Sequence, residues 1–267
     1  LISLAELPLV WYRMMIAAGV LAGVLALGGR IHTPTLREAW RMGCCGALLA
    51  VHWVLFYGSI KAANVSVGVV CFALNGFFTA LLEPMASGKR FSLRDLLLGL
   101  ITLGGIVLIF GLNMQFRTGI VIGTFSSLFY TLFAIASKRV QSATGVESSA
   151  MLLYELLTGW CVLSLAMPFY AMLYPSVSLM PEGSDWLFIT LFASVFTIGP
   201  FLTQLQALRT LSAFTVNLSY NLEPLYSIAL AMLLFNEAQE LNLSFWMGVS
   251  MIVAAVGYHA MCRKDGE

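Results

Sequence analysis

The sequence predicts an all-α integral membrane protein, an inverted-repeat helical bundle with nine transmembrane helices visible of an expected ten, five in each half. Three observations predict it. Apolar residues fill 60% of the 267 positions and charged residues only 10%, with a mean hydropathy of +0.89, whereas soluble domains carry about 25% charged residues. The apolar residues gather into nine runs, each near the ~20 residues a helix needs to cross the hydrocarbon core. Finally, the second half of the chain echoes the first at a nearly constant offset. A shift of 148 positions pairs Lys61 with Arg209, Leu74 with Leu222, Gly76 with Pro224, Phe78 with Tyr226 and Lys89 with Glu237; one inserted residue then pairs Gly99 with Gly248.

In chain order, the first run, 8–28, opens on Trp11-Tyr-Arg-Met14, and the second, 40–60, carries His52 and Trp53 at mid-span, followed by Phe56 and Tyr57. The third, 65–87, places Asn75, Thr79 and Glu83 four residues apart and so on one helix face. The runs at 95–112 and 118–137 are apolar, the former holding Gly104-Gly105. The long sixth run, 148–174, has Glu155 about a third of the way in, and 185–207 has Gln204 toward its end. The eighth, 212–235, holds Glu223 twelve residues into its 24, and the ninth, 243–262, contains Gly248. These runs are too long and too uniformly apolar for the alternating, roughly ten-residue strands of a membrane barrel, and backbone in lipid must satisfy itself, so helices are expected throughout.

Orientation follows from Lys and Arg. With the 29–39 loop in the cytosol, Arg30, Arg37, Arg41, Lys89, Arg90, Arg94, Lys138, Arg139, Arg209, Arg263 and Lys264 lie inside, and of the 14 basic residues only Arg13, Lys61 and Arg117 lie outside. The C-terminus is then cytosolic. The repeat mates Lys61 and Arg209 fall on opposite sides, so the halves, 1–114 and 115–267, insert inverted. Inversion requires an odd number of spans per half; the second half has five and the first shows four, so one further span is expected before Leu1.

The near balance of 14 basic and 13 acidic residues provides no field for nucleic acid. Cys44, Cys45, Cys71, Cys161 and Cys262 lie in or at the end of apolar stretches without metal or redox spacing, and read as small packing residues. No metal and no cofactor is expected. No His-Glu-x-x-His, no Gly-x-Ser-x-Gly and no second midplane His stands beside His52, so the chain is not expected to be an enzyme. A phosphate-binding Gly-rich loop is absent as well, which argues against direct ATP drive. Membrane proteins of two related, inverted halves point to transport by rocking about a shared site.

The ordered features Trp11-Tyr-Arg-Met14, Ser59-Ile-Lys-Ala-Ala-Asn-Val-Ser66, Ala207-Leu-Arg-Thr-Leu-Ser-Ala213, Leu222-Glu-Pro224, Phe235-Asn-Glu237 and the Gly248-rich last span resemble the drug/metabolite transporter superfamily, in particular its EamA-type ten-helix members. The resemblance covers nearly the whole chain. It departs from the symmetric pattern where Gly76 stands opposite Pro224 and Gly88-Lys89 opposite Asn236-Glu237, and the first family helix is missing. What it implies is a secondary transporter of the bacterial inner membrane, exporting amino acids or similar small amphiphiles by alternating access. The competing readings are a non-saturable channel and a membrane scaffold.

Candidate cavity residues are His52, Trp53, Asn75, Thr79, Tyr220, Asn221, Glu223 and Pro224. Glu223 near the midplane costs about 2.5–3.5 kcal/mol if it faces lipid charged, so it is expected to face protein or water and to bind a proton. Pro224 removes a donor and frees a carbonyl near Tyr220. Asn217, Tyr220, Asn221, Pro224 and Ser227 share an arc, either a cavity wall or polar glue between helices. Glu83, Glu155 and Gln204 are candidates for gating or coupling, with a salt bridge to Lys89 or Lys138 as the alternative for Glu83. His52 is either a titrating group or an interhelical donor, and Trp53 is positioned to stack on a substrate. Arg13 is expected to snorkel to the outer interface, the alternative being a carboxylate site. Gly28-Gly29, Gly104-Gly105 and Gly159 read as close helix packing. A small-molecule substrate and the bilayer are the expected partners; proton coupling and a homodimer are left open.

Overall fold

The computed structural model describes residues 2–63, 65–88, 91–110, 117–220, 222–223, 226 and 243–264. Among them the chain is helical with no strand: α1 (Glu6–Leu27), α2 (Leu36–Ala62), α3 (Val65–Phe72), α4 (Leu74–Ser87), α5 (Leu93–Phe110), α6 (Arg117–Thr144), α7 (Ser148–Leu173), α8 (Asp185–Ala193), a π-helical segment (Ser194–Ile198), α9 (Gly199–Thr210), α10 (Ala213–Tyr220) and α11 (Leu243–Lys264). Among the described residues six stretches are long and apolar enough to cross a membrane: Glu6–Leu27, Leu36–Ala62, Val67–Ser87, Arg117–Thr144, Ser148–Leu173 and Asp185–Thr210. The helices α5 and α11 run over two more of the predicted runs. Of the run at 212–235, α10 covers the start and most of the rest lies outside the described residues. The protein is an all-helical, multi-pass membrane protein.

Two predicted spans are interrupted where single helices were expected. The span at 65–87 breaks at Ala73, just before the weak helix formers Asn75 and Gly76. The span at 185–207 passes through the π segment, which ends where Gly199-Pro200 begins α9. Pro200 has no N–H to return to the preceding turn, and the Thr197 hydroxyl bonds Phe192 O, five residues back, at 2.9 Å.

The chain divides into two compact units, each drawing on both halves of the sequence: Leu1–Val54 with Ala136–Thr210, and Leu55–Ile135 with Leu211–Glu267. The division falls inside α2 and inside α6.

In the first unit α1 packs on α7 and α8, and α7 on α9. The core is built from Val10, Met14, Ala17, Met42, Leu49, Met151, Leu156, Ile189 and Leu205. Small residues set the approach of α2 to α7. A Cβ on Gly46 would collide with the Glu155 backbone, and one on Gly159 would lie 2.9 Å from Gly46 O. Without a hydrophobic force between helices in lipid, such close backbone contact is the main source of affinity. Polar ties close the helix ends. Asp185 accepts from Ser3 Oγ at 2.5 Å, Tyr170 Oη donates to Glu6 at 3.0 Å, Arg30 pairs with Glu147, and Thr35 and Glu38 form a capping box that starts α2. Gly28 and Gly29 do not pack helices as expected. Gly29 takes φ +63° with nothing within 4 Å of its missing Cβ, so the pair serves to end α1.

In the second unit α5 packs along α11 and α4, and α4 along α10. Ala80, Leu98, Phe214, Leu218 and Ala255 form its apolar centre. Gly105 gives the expected close packing: a Cβ there would come 2.7 Å from Gly248 O. The hydroxyl of Ser59 bonds Gly119 O at 2.7 Å, tying the end of α2 to the start of α6. Large apolar side chains such as Leu165, Phe169, Met172 and Phe196 remain exposed, as expected of surface that meets lipid tails.

Candidate functional site

In the second unit, three helices bring a ladder of polar side chains together. Asn75 and Thr79 on α4, Thr131 on α6 and Asn217 on α10 are all fully buried, at 0% exposure. Thr79 Oγ1 donates to the Asn75 backbone carbonyl at 2.6 Å, and Thr131 Oγ1 donates to Ser127 O at 3.0 Å and reaches Asn75 O at 3.3 Å. A carbonyl only accepts, so the one hydroxyl proton of Thr79 is committed to it. Thr79 Oγ1 therefore accepts from Asn217 Nδ2, 2.7 Å away, and the orientation of the Asn217 amide is fixed. Its Oδ1 is left buried without a hydrogen-bond partner, as are both Oδ1 and Nδ2 of Asn75.

Three rings stand one turn or less from these residues along their helices. Phe72, at the end of α3, lies 4.7 Å from Tyr130 and 5.9 Å from Tyr220, and Tyr130 lies 5.9 Å from Tyr220, between ring centroids and all edge to face. Thus Asn75, Thr79 and Tyr220 of the expected cavity set fall in one unit and on elements that touch. Asn221 and Pro224 lie outside the described residues. Glu223 is described and its side chain is exposed.

Glu83 has a definite partner that the sequence did not suggest. Its carboxylate accepts from the backbone N–H groups of Ala213, at 3.2 Å, and Phe214, at 2.8 Å. These are the first residues of α10, whose amides have no partner within the helix and whose dipole favours an anion. Glu83 directly precedes Pro84 within α4.

In the first unit, Arg13 is not snorkelling: it is 5% exposed. Its guanidinium lies 3.8 Å from the centroid of Trp53 and 4.3 Å from that of Phe192, and its Nε donates to Thr197 Oγ1 at 2.8 Å. Cation–π contact with two rings lets this side chain stay inside where a solvated head group would otherwise be needed. Trp53 also meets Phe201 edge to face at 5.1 Å. The ring of Trp53, expected to stack on a substrate, therefore has an internal partner in Arg13. His52, beside it, is buried at 3%, and Gln204 on α9 at 3%.

Glu155 is 0% exposed at the α2–α7 crossing; Ser137 Oγ donates to its Oε1 at 2.7 Å, and Oε2 has no hydrogen-bond partner. Cys71 is buried and its Sγ lies 3.7 Å from Ile120 O, as a packing residue with a weak donor; Cys44 and Cys161 are exposed. Among the described residues no group of three His, Cys, Asp or Glu could hold a metal ion.

The family model of the EamA-like transporter family matches residues 3–111 and 117–258. The chain belongs to the EamA-like transporter family. It is thus a transporter of the drug/metabolite type, and the family resemblance read from its motifs is correct. A crystal structure of a protein 18% identical to this EamA-like transporter matches it with a TM-score of 0.71, over 95% of this chain and 87% of the other. At that identity the likeness shows the fold alone. No curated protein matches the sequence.

Sequence reasoning missed Phe72, Tyr130 and Thr131, and the pairing of Arg13 with Phe192 and Thr197. For Thr197 a signal existed: Gly199-Pro200 inside an apolar run marks a helix distortion, and distortions of this kind are frequent at functional sites.

Proposed function

We propose that this EamA-like transporter is a secondary carrier of the bacterial inner membrane that exports a small amphiphile, such as an amino acid or a related metabolite, by alternating access. Its C-terminus lies in the cytosol, and its two inverted repeats span 1–114 and 115–267. The observation that carries the reading is the buried ladder of Asn75, Thr79, Thr131 and Asn217 in a chain of this family. Buried polar side chains within membrane helices are costly, and a few convergent polar groups in an apolar setting are what a small-molecule site needs.

Coupling is assigned to protonation of Glu223, whose exposed side chain on a membrane run needs water or a proton. Glu83, held by the α10 amides, is assigned to gating. The test is counterflow of pooled labelled metabolites in vesicles, with Glu223→Gln in parallel. A carrier gives saturable counterflow, and with Glu223 as the coupling group the variant loses its dependence on pH. Flux without saturation would favour a channel instead. Folded protein with no flux would favour a scaffold.

A further inference from the structure

We infer that Asn75 and Asn217 form a subsite for an uncharged head group that carries N–H donors beside a carbonyl oxygen, the primary carboxamide being the simplest. Only the identification of the bound molecule as cargo rests on the carrier reading above. Three atoms call for an explanation: Asn75 Oδ1, Asn75 Nδ2 and Asn217 Oδ1, each buried and without a hydrogen-bond partner, on residues 0% exposed. A flip of the Asn75 amide changes nothing, because both its ends are unpartnered. A flip of Asn217 is excluded by the proton order through Thr79. The vacant set is therefore two acceptors and one –NH2 donor.

That set selects chemistry. A carboxylate would present acceptors to both Oδ1 atoms, and an ammonium would leave Asn75 Nδ2 unmatched. A carboxamide matches all three: its C=O accepts from Asn75 Nδ2, one N–H goes to Asn75 Oδ1 in the paired-amide geometry, and the other N–H goes to Asn217 Oδ1. Phe72, Tyr130 and Tyr220, on the neighbouring turns, favour an apolar or aromatic body behind the amide. Buried polar atoms left unmatched by the protein's own groups cost stability, an arrangement expected of a binding site and not of structural glue.

The test uses the purified chain in lipid nanodiscs, with benzamide as probe and benzoate as its acidic counterpart. Titration is expected to show saturable binding of benzamide and binding of benzoate at least tenfold weaker, as the loss of one or more buried hydrogen bonds implies. Asn75→Leu and Asn75→Asp should each weaken benzamide at least tenfold. Because Leu removes two unmatched atoms at similar volume, Asn75→Leu should unfold at the same temperature as wild type or higher, which a structural hydrogen-bonding role would not allow. Equal affinity for amide and acid, no amide binding by folded protein, or benzamide binding unchanged in both variants overturns the subsite. Benzamide binding without counterflow would overturn the carrier reading while supporting the subsite. Saturable counterflow with no amide binding would do the reverse.

Discussion

Removing the Glu83 carboxylate should open the start of α10 specifically. In Glu83→Ala, the amides of Ala213 and Phe214 lose the acceptors now at 3.2 and 2.8 Å. Both residues are buried, at 0% and 3% exposure, so water does not readily replace the carboxylate. A hydrogen bond to a charged group contributes about 1.5–3 kcal/mol. Taking the shorter bond near the middle of that range and the longer one at or below its lower end gives about 3 kcal/mol for the pair. That corresponds to a roughly 100-fold increase in the opening equilibrium. Glu83→Gln keeps a carbonyl acceptor and loses the charge, so about 1 kcal/mol and roughly fivefold are expected. Hydrogen exchange in nanodiscs reads this directly. Amides from 213 to 220 should exchange about 100-fold faster in Glu83→Ala, while amides of α7 in the other unit stay at their wild-type rates. Unchanged protection at 213–220 would refute the assignment, and so would a Gln variant as severe as the Ala variant.

Two further substitutions test the first unit. Gly46→Leu should force α2 from the Glu155 backbone and cost at least about 1–3 kcal/mol, the range for overpacking, read as a lower thermal midpoint in detergent; a midpoint equal to wild type would show that this crossing is loose. Arg13→Lys keeps the charge and loses the planar contact with Trp53 and Phe192, so a loss of about 1 kcal/mol is expected in the same assay, and an unchanged midpoint would assign no value to the stack.

The fold class was legible because lipid imposes length and apolarity on each span, and runs such as 8–28 and 148–174 reappear within about two residues as α1 and α7. The kinks were not, since they depend on the choice between competing backbone carbonyls: Thr197 bonding five residues back has no hydropathy signature. Helical spacing did place Asn75 and Thr79 on one face, and the structure makes them hydrogen-bonded neighbours. Periodicity within one helix is local information. The partners Asn217, Thr131 and Phe72 come from other helices, and no spacing rule within a single run reaches across to them. Arg13 illustrates the same limit in reverse. Its place near a span end made snorkelling the simple expectation, and two rings distant in sequence kept it inside.

The π segment at Ser194–Ile198 sets the rotational phase of everything after it. Each residue advances a helix by about 100°, so accommodating one extra residue in a turn re-aims α9 relative to α8 without bending the chain out of its path. Gln204 and Leu208 point into the first unit, and Arg209 reaches Gly145 O and Val146 O at 3.3 and 3.4 Å, only with that phase. A substitution there alters one side chain, whereas the insertion or deletion of one residue within the regular helix α9 would turn every later residue by about 100°, more than a quarter of a revolution. The π turn itself, which already absorbs the extra residue, is where the chain can lose one and relax to regular α-helix with the inner face of α9 kept in place.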